Sequence, residues 1–133
     1  MRKRSLKNNK KYDENIISSL KALPVPLKSF DNHSIYFEEN KRNESIFQHI
    51  AKQKHKLKTT DIKSIPKIIN DINSIKNDNK KSIFRNYLGE RPKKNAKLKY
   101  IKIVTKKVKE NVEIVITIYL LKNKSLEKNK KSR

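Results

Sequence analysis

Residues 97–122 read KLKYIKIVTKKVKENVEIVITIYLLK, two runs rich in β-branched and aromatic residues that are broken only at Glu110 and Asn111. Each run is about as long as two ordinary strands, and a polar pair between two such runs is a hairpin signal. A two-residue turn there sets Lys109 opposite Val112, and the rest of the register follows. Ile101 then opposes Leu120, Ile103 opposes Ile118, and Thr105 opposes Ile116. That face is apolar and needs a cover. The other face pairs Lys102 with Tyr119, Val104 with Thr117, and Lys106 with Val115. A slip of one residue in either strand would exchange its faces, so register decides which side chains meet solvent.

The segment upstream, KSIFRNYLGE, also alternates, with Ile83, Arg85 and Tyr87 on one side and Phe84, Asn86 and Leu88 on the other. It reads as a third strand, joined to the hairpin through the lysine-rich loop RPKKNAK. Before Ser82 the period changes to that of helices. Asp13 or Asn15 caps a helix running to about Leu23, with Ile16, Ile17, Leu20 and Leu23 on one face and Pro24 and Pro26 ending it. Residues 27–42 hold Phe30, Ile35, Tyr36 and Phe37 in a short strand or irregular segment. Asn43 then reads as an N-cap with Glu44 at the positive helix end, and Ile46, Phe47, Ile50 and Ala51 form an apolar stripe. Two further starts follow, one at Thr60 with Asp61 in its first turn and one at Ser64 with Pro66 in its first turn. Ile65, Ile68, Ile69 and Ile72 supply the buried side of the latter. The expected fold is α+β, with helices first and packed on one face of a small antiparallel sheet. The expected organisation is a basic disordered arm over 1–12, one domain over 13–121 and a basic disordered tail over 122–133.

Composition narrows the partner. Lys and Arg number 35 against 13 Asp and Glu, a formal charge of +22 on 133 residues. Such a charge destabilises the compact state by self-repulsion, and a polyanion relieves it. Nucleic acid is the first candidate and an anionic membrane surface the weaker one. The same abundance of Lys, Asn and Ile is also what AT-rich coding produces without selection for binding. With no Cys in the chain, disulfides, thiolate zinc sites and a cysteine nucleophile are excluded. No run of about 18 apolar residues offers a membrane-spanning helix, and MRKRSLKNNKK lacks the apolar stretch of a secretory signal, so the expected compartment is the cytoplasm.

An antiparallel sheet can leave one face toward solvent. The hairpin register places Lys102, Lys106, Thr117 and Tyr119 there, joined in this reading by Arg85 and Tyr87 from the preceding strand. Cations neutralise phosphates, hydroxyls donate to phosphate oxygens, and tyrosine stacks on unpaired bases. The bland alternative is a solvated face, since Thr and Tyr favour strands in any case. The stretch HIAKQKH places His49 and His55 six residues apart, about 120° on an ideal helix and both on its polar half. No carboxylate or Cys accompanies them, which argues against a metal site. Cleavage of RNA without metal needs a base for the 2′-OH, an acid for the leaving oxygen and cations for the transition state. Histidines supply the first two and Lys or Arg the third. His33, in DNHS, has no sequence neighbours that give it a role.

HIxxxKH, TxxDIKSIPKIINDINSI, a strand ending FRNY and a closing hairpin with ITIY together resemble the nuclease-like domains of phages and mobile elements grouped with barnase, EndoU, the colicin RNases and RelE (the BECR group). The resemblance covers roughly residues 45–121. It implies helices on an antiparallel sheet whose open face binds and cleaves RNA without metal or other cofactor. It matches His49 and His55 to the early histidine positions, Arg85 and Tyr87 to the middle strand, and Thr117 and Tyr119 to the last. Lys54 stands where many relatives have Arg. On this reading the protein is an RNase toxin or effector domain, acting on tRNA or other single-stranded RNA and held in check by an immunity or antitoxin partner. His49, His55, Arg85, Thr117 and Tyr119 form its catalytic set, and Lys54, Tyr87, Lys102 and Lys106 hold the nucleic acid. The alternative is a non-catalytic RNA- or DNA-binding module on the same sheet. A third reading is a structural protein whose basic arms bind packaged nucleic acid.

Overall fold

The computed structural model describes residues 11–37, 45–52, 55–76, 82–93 and 95–122. Among the described residues three helices and six strands follow in the order α1 (Glu14–Lys21), β1 (Leu27–Lys28), β2 (Ser34–Phe37), α2 (Ile46–Ile50), α3 (Thr59–Ile69), a 3-10 turn (Ile72–Ser74), β3 (Ile75–Lys76), β4 (Phe84–Glu90), β5 (Tyr100–Lys109) and β6 (Val112–Leu121). The class is α+β. The strands form one sheet in the order β1-β2-β6-β5-β4-β3. It is mixed rather than wholly antiparallel as expected, because β2 pairs parallel to β6 from Ser34 opposite Val112 to Phe37 opposite Val115. Alternation in a sequence shows that a segment is a strand. It carries no information on the direction in which a distant strand lies beside it.

Local chemistry accounts for the helix ends. The Asp13 carboxylate accepts from the backbone N–H of Asn15 and Ile16, capping α1. α2 is capped by Ser45, not by Asn43, and Gln48 completes a reciprocal capping box with it. Asn43 and Glu44 themselves lie outside the described residues. The two starts expected at Thr60 and Ser64 are one helix, with Pro66 in its interior. Ser64 does not cap, because its hydroxyl donates to the carbonyl of Asp61 within the helix. At the N-terminus the Asp61 carboxylate instead accepts from the backbone N–H of Lys58 at 2.8 Å. Since α3 ends at Ile69, Ile72 falls in the 3-10 turn and is exposed rather than buried.

All three helices contribute to a core on one side of the sheet. Ile16 and Leu20 come from α1, Ile50 from α2, and Ile62, Ile65, Ile68 and Ile69 from α3; they meet Ile35, Tyr87, Ile101, Ile103, Val115 and Ile118. The single glycine in the sequence, Gly89, sits in β4 where α3 comes closest. A Cβ there would lie 2.4 Å from the Cγ1 of Ile68, so only glycine admits the helix at this height.

The β5–β6 hairpin turns at Glu110 and Asn111, with Lys109 opposite Val112, Ile101 opposite Leu120, Ile103 opposite Ile118, Lys102 opposite Tyr119 and Val104 opposite Thr117. Asn111 takes a φ of 60°, a left-handed conformation that asparagine tolerates better than most residues. Between these agreements the register departs from simple alternation. Thr105 opposes Val115, Lys106 opposes Ile114 and Lys107 opposes Glu113. One irregularity adds Ile116 to β6, and a second adds Val108 to β5 and restores the count. The expected pairs of Thr105 with Ile116 and Lys106 with Val115 are therefore wrong by one residue. Ile116 is only half-buried, whereas Val115 and Glu113 turn into the core.

Candidate nucleic-acid interface

The face of the sheet opposite the core is built in rows by the register. One row runs Tyr36, Ile114, Lys106 and Phe84 across β2, β6, β5 and β4. The next runs Thr117, Val104 and Asn86, and the third runs Tyr119, Lys102 and Leu88. Tyr36 and Phe84 are exposed at 41% and 46%. The Lys102 ammonium lies over the Tyr119 ring, 5.7 Å from its centroid, a cation–π contact that holds both side chains over the sheet. Lys102, Lys106, Thr117 and Tyr119 therefore share the face on which alternation places them. The sequence reading missed the two exposed aromatic rings beside them. Phe84 was available from its alternation with Arg85; Tyr36 was not, because nothing in the sequence places β2 next to β6.

Arg85 and Tyr87 are not on this face, contrary to expectation. They are 2% and 0% exposed, on the helix-covered side. The reason is the register of β4 on β5, which sets Arg85 opposite Thr105 and Tyr87 opposite Ile103, both core-facing, and the irregularity at Ile116 turns Glu113 inward to meet them. Arg85 donates through Nη1 to Glu113 Oε2 at 2.5 Å and through Nη2 to Asp31 Oδ2 at 2.5 Å. Tyr87 donates its hydroxyl to Glu113 Oε1 at 2.8 Å, and Thr105 donates to the same oxygen at 2.7 Å. His33 closes the network, with Nδ1 at 2.6 Å from Glu113 Oε2 and 3.0 Å from Arg85 Nη1. A guanidinium only donates. The shorter contact, to the carboxylate, is the hydrogen bond, and it assigns the proton to Nδ1.

The β1–β2 turn delivers His33 and Asp31 to this place. Ser29 is its hub: its hydroxyl donates to Asp31 at 2.5 Å and accepts from the His33 N–H at 2.9 Å. Asn32 supplies the left-handed residue of the turn, with φ at 65°.

The electrostatics of this cluster decide its role. Burial opposes ionisation of Glu113, but hydrogen bonds from Thr105, Tyr87, Arg85 and His33 outweigh it and hold the carboxyl below its ordinary range. Burial likewise opposes ionisation of Asp31, and Arg85 with Ser29 overcomes it, lowering the pKa to about 2. Burial and the Glu113 charge push the Tyr87 phenol up, so it stays protonated and donates. Burial disfavours the charged guanidinium of Arg85, but its bond to Asp31 and its partners Tyr87 and Glu113 hold it charged. Two carboxylates against one guanidinium leave the cluster negative with His33 neutral, and neutral overall with His33 protonated. Neither state attracts a phosphodiester. The expected role of Arg85 as phosphate holder does not fit this arrangement; it ties the β1–β2 turn to β4 and β6.

His49 and His55 meet, although not as two positions of one helix. α2 ends at Ile50 and His55 lies in the following turn. Their rings stand edge to face with centroids 5.8 Å apart. The backbone carbonyl of Ile50 lies 3.2 Å from His55 Nδ1; a carbonyl only accepts, so Nδ1 is the donor and Nε2 is the nitrogen left for another partner. Lys54 lies outside the described residues. Among the described residues no group of three or more His, Asp or Glu is arranged to hold a metal ion. No described helix is long and apolar enough to cross a membrane.

The expected catalytic set thus resolves into three groups: the histidine pair, the buried Arg85, and the open-face pair Thr117 and Tyr119; Tyr87, expected to hold nucleic acid, is buried beside Arg85. Comparison with family models, curated proteins and solved structures finds no match for this chain.

Proposed function

We propose that the protein binds single-stranded RNA across the open face of its sheet. The observation that carries this reading is the row Tyr36–Ile114–Lys106–Phe84, in which two exposed rings flank a lysine, above the Lys102–Tyr119 pair. Rings stack on any unpaired base, lysines neutralise phosphates, and a sheet face presents both at fixed spacing. Anisotropy titration of a short labelled RNA tests it. Tyr36→Ala and Phe84→Ala should each weaken binding by about 1–3 kcal/mol, or roughly 5- to 150-fold. Lys102→Glu with Lys106→Glu should weaken it further, while Lys21→Glu on α1 should not. Equal effects from all of these would reduce the interface to net charge.

A second reading, metal-independent RNA cleavage of the BECR type, is favoured by the contact between His49 and His55. One imidazole can take the 2′-OH proton while the other protonates the leaving 5′-oxygen, and His55 has its proton-accepting nitrogen defined. RNA should then be cut in the presence of a chelator, and DNA, which lacks the attacking hydroxyl, should resist. His49→Ala or His55→Ala should slow cleavage about 10²–10⁴-fold with binding retained. If the wild-type protein leaves RNA intact, or both variants keep full rate, the binding reading stands alone. An effector role and an inhibitory partner belong to this second reading only.

A further inference from the structure

A cleft of about 570 Å³ opens where β5 begins and β6 ends. It lies on the covered side of the sheet, away from the proposed RNA face, since Leu120 on its wall pairs with the buried Ile101. Leu98 and Leu120, half-buried above the core residues Ile50 and Leu57, give it an apolar floor, and Lys52, Lys56, Lys58, Lys93 and Lys97 stand around it. These lysines come from two separate segments, the turn after α2 and the β4–β5 connection, which fold together only in the tertiary structure.

Two further charged residues line the wall. Asp13 is the cap of α1. The Arg91 side chain is 6% exposed and donates from Nε and Nη2 to Asp61 at 2.9 Å each and from Nη1 to the Leu98 carbonyl at 2.9 Å. That buried pair fixes the β4–β5 connection to the N-terminus of α3 and so holds the cleft's shape. Lys56 has a φ of 56°, left-handed backbone that a lysine seldom adopts, at the lip of the cleft. Strain of this kind collects at ligand sites.

An apolar floor inside a ring of cations matches a ligand with a flat, weakly polar body and a multiply charged anionic end. The volume is that of a small-molecule site. The basic segments 1–11 and 122–133, MRKRSLKNNKK and KNKSLEKNKKSR, carry the same sign as the rim and do not suit it. We infer that this cleft binds a single phosphorylated nucleotide unit, its base against Leu98 and Leu120 and its phosphate among Lys56, Lys93 and Lys97. A free nucleotide and the 5′-phosphorylated end of a strand share this chemistry.

Amide-resolved NMR titration of the full chain tests the inference with adenosine monophosphate, adenosine, inorganic phosphate and a short RNA with and without a 5′-phosphate. Adenosine monophosphate should shift the amides of Ala51, Leu57, Ala96 and Leu98 saturably, with adenosine and phosphate each at least tenfold weaker. Lys56→Glu with Lys97→Glu, both at exposed positions, should abolish those shifts while the rest of the spectrum reports an intact fold. Lys102→Glu with Lys106→Glu should leave them unchanged, which separates this site from the open face. Tighter binding of the 5′-phosphorylated RNA than of the mononucleotide assigns a strand end, and the reverse order assigns a free nucleotide. Absence of saturable shifts at these amides, equal binding of inorganic phosphate and nucleotide, or loss of binding in the open-face variant would each overturn the inference.

Discussion

Glu113 is the residue on which the interior turns. It has no exposed side-chain surface and accepts from Arg85, Tyr87, Thr105 and His33. Replacing it by Ala takes from the buried Arg85 guanidinium its fully buried carboxylate partner and leaves the partly exposed Asp31. Breaking a buried ion pair in this way costs about 3–5 kcal/mol, and denaturant unfolding of Glu113→Ala should show that loss. The same cluster sets an acid limit. Both Glu113 and Asp31 have folded pKa values below their unfolded ones. Their contribution is therefore complete above the ordinary carboxylate range and is lost as pH falls through the folded values. For Asp31 this window runs from its ordinary 3.8 to about 2. The urea midpoint should be level near neutrality and drop across that window, and the drop should be shallower in Asp31→Asn.

At the scale of the element, the extra residue in β6 decides which side chains reach the core. A regular β6 would point Ile116 and Ile114 inward and leave Glu113 on the open face. With Ile116 as the additional residue, Val115 and Glu113 go in and Ile114 joins the open row. Ile118 is fully buried and Ile116 is half-buried. Ile118→Ala should accordingly cost about 2–5 kcal/mol, Ile116→Ala clearly less, and Thr117→Ala on the open face least. Denaturant midpoints for the three variants order the positions directly. Equal losses at Ile116 and Ile118 would mean that the strand is regular, and the Arg85 cluster would then lose Glu113.

For the whole molecule, charge outweighs every other influence outside the core. A formal +22 on 133 residues repels itself in the folded state. Binding a polyanion to the native state removes part of that repulsion and adds the linkage of any native-state ligand. The melting temperature should therefore rise on adding single-stranded RNA at low salt, and the rise should shrink as salt is increased. The affinity itself should fall steeply and linearly on logarithmic axes between low and moderate salt, with a slope that counts the phosphates neutralised. Deleting residues 122–133, which hold six Lys or Arg against one Glu, should reduce that slope. A flat salt profile would remove nucleic acid as the partner.

Local pattern alone determined a large part of this protein: the hairpin at Glu110 and Asn111, most of its pairings, the α1 start at Asp13 or Asn15, the helical stripe through Ile65, Ile68 and Ile69, and the open-face placement of Lys102, Lys106, Thr117 and Tyr119. These are properties of a few consecutive residues, and periodicity with turn chemistry reports them. Tertiary structure decided the rest. Only packing inserts Ile116 as an extra residue, and only that insertion turns Glu113 onto Arg85 and Tyr87, whose inward direction alternation could not distinguish from outward. His33 acquired partners 52 and 80 residues away in sequence. Tyr36 reached the open face because β2 lies parallel beside β6. In each case the deciding interaction joins segments far apart in the chain, where a sequence read in order has no physical means of showing that they touch.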